Sequence, residues 1–253
     1  CDWSSDVCSS DLKDTMKHVR LYQNAPLKIN DTMMLDEYAS HHLLKVLRFP
    51  QGQDITLFNG DGNNYQASVI SVKKQCEVRI NSCVPNLNES SLKLTLAQGV
   101  AKGEKMDFLM QKAVELGVSQ IIPIFTERCV VRLKAEKLKK RMQHWRKIII
   151  GACEQSGRSV VPELLDPLDL SSLMTQDYGD IFVLHHRAEH SLLDFGKSLR
   201  AMIIIGPEGG LSDDEIIYAT QQGAQPLLLG SRVLRTETAS LAAIANMQLL
   251  WGS

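Results

Sequence analysis

From about residue 92 onward, short apolar segments alternate with helical patterns, and this alternation limits the fold more than any other feature. The segments Ile121–Phe125 and Met202–Ile205 are apolar throughout, and Leu94–Ala97 is apolar except for Thr95. Two similar segments are Ile181–Leu184 and Leu227–Leu229. Such segments are typical of strands buried on both faces of a parallel sheet. The sequence therefore predicts an α/β domain.

The helices between these strands have recognisable ends. Ser212 and Glu215 have the spacing of a capping box, and Gly223 is placed to end the helix that they begin. The last helix begins near Thr236 and runs to the C-terminus, with apolar residues nearly all round it. A helix of this kind needs burial on more than one side. We therefore expect a second copy of the chain to cover it in a homodimer.

The region before residue 90 differs, because it consists mostly of short segments rich in β-forming residues. Examples are Val19–Gln23, Ile55–Asn59, Tyr65–Val72 and Cys76–Ile80. One helix is predicted at Glu37–Arg48, where Pro50 ends it. These features predict a small β-barrel. A polar linker follows over residues 85–91.

Composition and the N-terminus exclude several classes of protein. Residues 1–15 resemble a translated sequencing-adapter scar, and Met16 resembles a native start. No apolar run approaches the ~20 residues that span a bilayer. The six cysteines contain no C-x-x-C pair, so we expect no metal site and free thiols in a reducing cytosol. The net charge of −1 means that any nucleic-acid site must be local.

One segment, Glu127–Lys147, is strongly basic. It holds nine Lys or Arg against two Asp or Glu, and an apolar helical stripe runs through it. Phosphate backbones bind such a face through counterion release. A solvated helix face explains the same pattern, and both interpretations stay open.

Two glycine-containing loops follow successive predicted strands. The first spans Ile203–Ser212, and the second spans Leu227–Ala239. Ligands bind beyond the carboxyl ends of the strands in open α/β sheets, so the two loops together suit an adenine and a ribose. The alternatives are a tight turn and an ordinary helix N-cap. Neither the dinucleotide fingerprint nor the Walker A motif fits. His185 and His186 follow the strand Ile181–Leu184 and are interpreted as structural.

Four motifs, taken in order, resemble a known family. They are His42–Arg48, Lys112–Val118 with Pro123, Glu154–Arg158, and the pair Ile205–Gly210 with Leu229–Ala239. In this order they resemble the bacterial 16S ribosomal RNA uridine N3-methyltransferases of the SPOUT superfamily. The resemblance covers Met16–Ser253.

The resemblance implies a PUA-like RNA-binding barrel over residues 16–88 and a SPOUT methyltransferase domain with a deep trefoil knot over residues 89–253. It also implies a homodimer that uses S-adenosylmethionine to methylate N3 of uridine 1498 in 16S ribosomal RNA. The expected partner is this RNA within the small ribosomal subunit. The residues expected around the cofactor are Leu184, Gly206, Pro207, Glu208, Gly209, Gly210, Leu229, Gly230, Leu234, Arg235, Glu237, Thr238 and Ala239.

Catalytic residues are harder to assign, because no side chain stands out as the base that removes the uridine N3 proton. Arg158 or Arg235 is expected to stabilise the developing uridine anion, and Glu208 is expected to be buried in its loop and to orient the cofactor. The residues expected to bind RNA are Arg20, Arg48, Arg128, Arg132, Lys139, Lys140, Arg141 and Arg158. Two alternatives are a related methyltransferase acting on another nucleotide or a ribose hydroxyl, and a non-catalytic ribosome-assembly factor.

Overall fold

A computed structural model describes residues 19–73, 75–129 and 135–252 of the protein. The chain divides into two compact units. The first contains the described residues up to 58 together with 64–84, and the second contains 59–63 and the described residues from 85 onward. The leader 1–15 and the predicted RNA-binding residue Arg132 lie outside the described residues.

The first unit contains a five-stranded sheet in the order β1-β3-β4-β5-β2. Along β4, alternate residues such as Tyr65, Ala67 and Val69 are buried, because successive side chains of a strand point to opposite faces. The three-residue strand β2 is too short to show this alternation, and sequence reasoning missed it. The strands are β1 Arg20–Tyr22, β2 Thr32–Met34, β3 Asp54–Phe58, β4 Asn63–Val72 and β5 Cys76–Pro85.

The helix of the first unit is shorter than predicted. The α-helix α1 covers Glu37–His41, and a π-helical turn covers His42–Val46. Regular α-helical hydrogen bonding ends early, because the Leu47 N–H donates to the carbonyl of His42 at 3.0 Å, five residues back. The predicted end at Arg48 is wrong by two residues.

The second unit contains a parallel sheet in the order β12-β10-β11-β6-β7-β8, and β9 also pairs with β7. Residues 94–99 and 201–205 are buried without interruption, so the central strands are covered on both faces. The predicted α/β class is therefore confirmed. The strands are β6 Lys93–Gly99, β7 Gln120–Phe125, β8 Glu163–Leu164, β9 Leu168–Asp169, β10 Asp180–Leu184, β11 Arg200–Ile205 and β12 Gln225–Leu227.

Among the described residues, five α-helices and the 3-10 turn Leu192–Asp194 accompany this sheet, and the start of α5 follows its sequence signal. Ser212 Oγ accepts from the Glu215 N–H, and the Glu215 carboxylate accepts from the Ser212 N–H, which confirms the capping box. No helix in the described part of the chain is long and apolar enough to cross a membrane. The helices are α2 Glu104–Glu115, α3 Ala135–Ser156, α4 Leu170–Leu173, α5 Asp213–Gln221 and α6 Thr236–Trp251.

The last strand of the sheet ends earlier than predicted. Only Leu227 of the predicted strand Leu227–Leu229 belongs to β12, which pairs with β10 over Gln225–Leu227. The Leu228 N–H donates to the carbonyl of His190 at 2.8 Å instead of to a strand. Three consecutive leucines carry no periodicity that would reveal this end. Leu228 and Leu229 thus belong to a loop.

Candidate active site

Three neighbouring parallel strands, β12, β10 and β11, end at one edge of the sheet. The segments that follow them are 228–234, 185–187 and 206–211, and they enclose a cavity of about 370 Å³. This edge is where open α/β sheets bind ligands, because loops diverge at the carboxyl ends of the strands. The cavity is therefore the candidate active site.

Ten of the thirteen residues expected around the cofactor line this cavity. Their distribution over β10 and both glycine loops means that they come from three separate parts of the chain. That these ten residues contact the cofactor stays a prediction. They are Leu184, Gly206, Pro207, Glu208, Gly209, Gly210, Leu229, Gly230, Leu234 and Ala239.

Three expected cofactor residues, Arg235, Glu237 and Thr238, are not part of the cavity lining. Arg235 is exposed at the N-cap of α6, and Thr238 is exposed in the first turn. Glu237 is half-buried, and its Oε2 has no hydrogen-bond partner within the described structure. The predicted roles of all three residues remain predictions.

Two different structural reasons explain why the two loops contain glycine. Gly210 and Gly230 have φ angles of 70° and 125°, and a Cβ on either would meet no atom within 4 Å. Their backbone therefore faces open space. At Gly206, a Cβ would lie 2.5 Å from the carbonyl carbon of Gly210 and 2.6 Å from the nitrogen of Leu211. Gly206 is thus required for the loop to fold back on itself.

A buried polar network connects the first loop to α6. Gln98 Nε2 donates to the Gly206 carbonyl at 3.3 Å and to Thr236 Oγ1 at 3.0 Å. Thr236 Oγ1 donates to the same Gly206 carbonyl at 2.7 Å, and Ser240 Oγ donates to Gln98 Oε1 at 2.6 Å. Sequence reasoning missed Gln98, although an amide inside an apolar strand is a signal for such a network. The network holds one wall of the cavity in place.

Gly99 is a second residue that sequence reasoning missed. It ends β6, and a Cβ at this position would overlap the nitrogen of Pro207 and its ring. The close approach of two backbones explains the glycine. Gly99 therefore allows the first loop to pass directly over the end of β6.

Glu208 was expected to be buried, and this expectation is wrong. The residue is exposed, and its Oε1 accepts from the Lys102 N–H at 3.0 Å and lies 3.7 Å from Lys105 Nζ. Partial burial raises the carboxyl pKa, but the N–H groups of Lys102 and Glu208 and the two lysine charges outweigh it. The net result is a lowered pKa and an ionised carboxylate that anchors the loop to residues 102–105.

The histidine pair lies at the cavity, although the sequence favoured a structural role. Both His185 and His186 line it, and their rings meet edge to face at 5.2 Å. His185 Nε2 is buried and has no hydrogen-bond partner among the described residues. Burial and then the neighbouring His186 and Arg187 charges lower the pKa of His185, against the opposing effect of Asp213. His185 is therefore neutral at neutral pH.

Arg158 is a structural residue in this geometry, and its predicted catalytic and RNA-binding roles do not fit. Its guanidinium is buried, does not line the cavity, and bonds both carboxylate oxygens of Glu89 at 3.0 and 2.6 Å. Nη1 donates to the carbonyls of Val114 and Val118 at 2.9 and 2.8 Å. These four bonds direct the charge into the protein.

Among the other residues expected to bind RNA, some already have partners within the protein. Arg128 donates to the carbonyls of Gly209 and Leu211 at 3.1 Å each and so supports the first loop. Arg141 lies 3.9 Å from the Asp107 carboxylate, and Arg20 Nη1 donates to Asn64 at 3.0 Å. The exposed members of the set are Arg48, Arg128, Lys139 and Lys140.

Comparison with known proteins places this site in a family. The RNA methyltransferase domain family matches residues 88–248, and the RNA methyltransferase PUA domain family matches residues 35–81. A ribosomal RNA small subunit methyltransferase E from Buchnera aphidicola is 34% identical over 246 residues, which cover 92% of this chain and 96% of the relative. The chain belongs to this methyltransferase family.

Two solved structures of similar proteins agree with the membership. A methyltransferase from Legionella pneumophila, solved with bound SAM, is 42% identical with a TM-score of 0.91, over 94% of this chain and 99% of its own. A ribosomal RNA small subunit methyltransferase E from Neisseria gonorrhoeae, bound to S-adenosyl methionine, is 38% identical with a TM-score of 0.87, over 93% and 98%. The family match confirms the predicted resemblance and the predicted PUA-like N-terminal domain.

Proposed function

We propose that this protein transfers the methyl group of S-adenosylmethionine to N3 of a uridine in 16S ribosomal RNA and so forms 3-methyluridine. The observation that carries the proposal is the pair of glycine loops that enclose one cavity in a member of this methyltransferase family. Domain limits at 16–88 and 89–253, and the trefoil knot that the resemblance implies, are part of the same proposal.

The cavity residues fit an adenosyl cofactor. The open space beside Gly210 and Gly230 lets a ligand approach the loop backbone closely, where main-chain groups can recognise an adenine edge and ribose hydroxyls. Bound S-adenosylmethionine supplies a methyl group that is activated by a positively charged sulfur. The protein's contribution is then mainly to position the two reactants, which can supply much of the rate of a transfer between them.

Methylation at N3 also requires that uridine lose its N3 proton. Three exposed arginines line the cavity, and of these Arg128 supports the first loop. The positive charges of the other two, Arg187 and Arg232, favour the uridine anion. They replace Arg158 in this role, since Arg158 is buried elsewhere, while Arg235 at the N-cap of α6 is kept as a third candidate. The neutral His185 contributes no positive charge to this effect.

The proposal is tested with purified protein, S-adenosylmethionine, and either 16S ribosomal RNA or isolated small ribosomal subunits. The RNA is digested, and its nucleosides are identified by mass spectrometry. We expect 3-methyluridine. A methyl group on another nucleoside or on a ribose hydroxyl would refute the N3 assignment. Calorimetry that detects RNA binding but no cofactor binding would instead support an assembly factor.

The exposed basic face of α3 is proposed to bind the RNA backbone. We expect the double variant Lys139→Ala/Lys140→Ala to bind RNA more weakly, with a logarithmic salt slope reduced by about 0.7–0.9 per lost phosphate contact. Fluorescence anisotropy at several salt concentrations measures the slope. Lys93 and Lys197, which are exposed elsewhere, provide a control pair with the same change of charge. Equal slopes for the two double variants would mean that α3 presents only a solvated face.

A homodimer through α6 is also proposed. One side of α6, which includes Ala243, Ile244 and Met247, is buried, whereas Leu249 on the other side is 77% exposed. We expect Leu249→Glu to convert a dimer into a monomer, because a charge in a buried apolar contact is costly. Sedimentation velocity measures the change, and Leu199→Glu alters a second exposed leucine as the control. A wild-type protein that sediments as a monomer would contradict the proposal.

A further inference from the structure

The helical segment of the first unit, 37–46, has an outer face that its own core does not explain. Its inner face is buried, because Ala39 and Leu43 are each 1% exposed. On the outer face, Tyr38 is 65% exposed and Val46 is 61% exposed. A surface helix ordinarily places charged or polar residues there. The aromatic residue is therefore available for an external partner.

The exposed ring already has one stacked neighbour. The rings of Tyr38 and His42 lie nearly parallel, at an interplanar angle of 22° and a centroid distance of 6.4 Å. Basic residues flank the pair, since His41, Lys45 and Arg48 are all exposed. Of the nearby acids, Asp36 caps α1 by accepting from the Ala39 N–H at 2.7 Å, and Glu37 is exposed in the first turn. The result is an aromatic surface bordered by cationic groups.

The backbone under this surface is unusual as well. The turn His42–Val46 is π-helical, and Arg48 has a φ angle of 50°, in the left-handed region that residues with a side chain rarely adopt. Single π-helical turns and strained residues of this kind occur often at functional sites. Lys45 lies in this turn and Arg48 follows it, so both basic residues come directly after the Tyr38–His42 pair in the chain.

We propose that Tyr38 and His42 stack against an unpaired base of the RNA, while Lys45 and Arg48 contact its phosphates. The inference rests on the proposed function, because it assumes an RNA substrate. Proteins recognise single-stranded RNA by stacking splayed bases on aromatic side chains beside basic residues, which matches the chemistry of this surface. The exposed apolar side chains of this segment, Tyr38 and Val46, lie singly among basic residues. Such a surface fits an RNA base better than it fits an apolar protein partner.

The test compares three variants for binding to a fluorescent single-stranded fragment of 16S ribosomal RNA. Tyr38→Ala is expected to weaken binding about tenfold, within the range measured for loss of one base–aromatic stack. Tyr38→Phe keeps the ring and is expected to bind like the wild type. Ile29→Ala removes another exposed apolar side chain of the first unit and is expected to have no effect. Because Tyr38 is exposed, its removal should leave the melting temperature unchanged.

The salt dependence separates stacking from charge. Tyr38→Ala should keep the wild-type salt slope, whereas Lys45→Ala should reduce the slope by about 0.7–0.9. Unchanged RNA affinity of Tyr38→Ala, in a wild-type background that binds and methylates RNA, would overturn this inference alone. A wild-type protein without RNA affinity would overturn the proposed function together with it. Loss of self-association in Tyr38→Ala, with RNA affinity intact, would assign the surface to a protein contact and also overturn the inference.

Discussion

Replacing Gly206 with alanine is expected to reduce S-adenosylmethionine affinity by at least about tenfold and to destabilise the second unit by about 1–3 kcal/mol. The new methyl group would lie 2.5–2.9 Å from backbone atoms of Gly210 and Leu211, which no rotamer change relieves. The loop must then open, and the carbonyl that Gln98 and Thr236 hold moves with it. Calorimetric titration measures the affinity, and urea denaturation measures the stability.

The matched control for this variant is Gly151→Ala in α3. A Cβ at Gly151 meets no atom within 4 Å, and alanine favours a helix interior by about 1 kcal/mol over glycine. We expect this control to bind the cofactor normally and to be at least as stable as the wild type. Normal cofactor affinity in Gly206→Ala would show that the loop does not form the cofactor site.

Replacing Glu89 with alanine is expected to destabilise the protein by about 3 kcal/mol. Removing one partner of a buried ion pair typically costs about 3–5 kcal/mol, because the remaining charge stays buried without compensation. The Arg158 side chain is 6% exposed and that of Glu89 is 22% exposed. Water can therefore enter the space that Glu89 leaves and solvate part of the Arg158 charge, so the lower end of this range applies. Urea denaturation measures the difference from the wild type.

Two further variants complete this experiment. Glu189→Ala removes an exposed acid and should change stability by less than about 0.5 kcal/mol. The double variant Glu89→Met/Arg158→Met removes both charges and should recover part of the loss, while keeping cofactor affinity. Wild-type stability in Glu89→Ala would contradict the structural role of Arg158, and so would a folded double variant that has lost the cofactor.

The type of most elements of the second unit follows from local sequence, because burial and capping leave local patterns. Uninterrupted apolar segments predicted the central strands, and the Ser212–Glu215 spacing predicted the start of α5. The glycine loops could be identified as a candidate site for the same reason, since a loop after a buried strand faces the edge where ligands bind. The boundaries of β12 and of the helix at 37–46 could not be predicted, because long-range pairing and a π-helical turn decide them.

The sequence by itself determined the class of the fold, the two glycine loops and the family of this protein. Only the tertiary structure decided which polar side chains serve the cavity and which serve the core. Gln98 supports the first loop through Gly206, 108 positions away, and Thr236, 138 positions away. The guanidinium of Arg158 binds the carboxylate of Glu89, 69 positions away. A polar group's role depends on the partner that satisfies it after burial, and local sequence does not identify a partner at such distances.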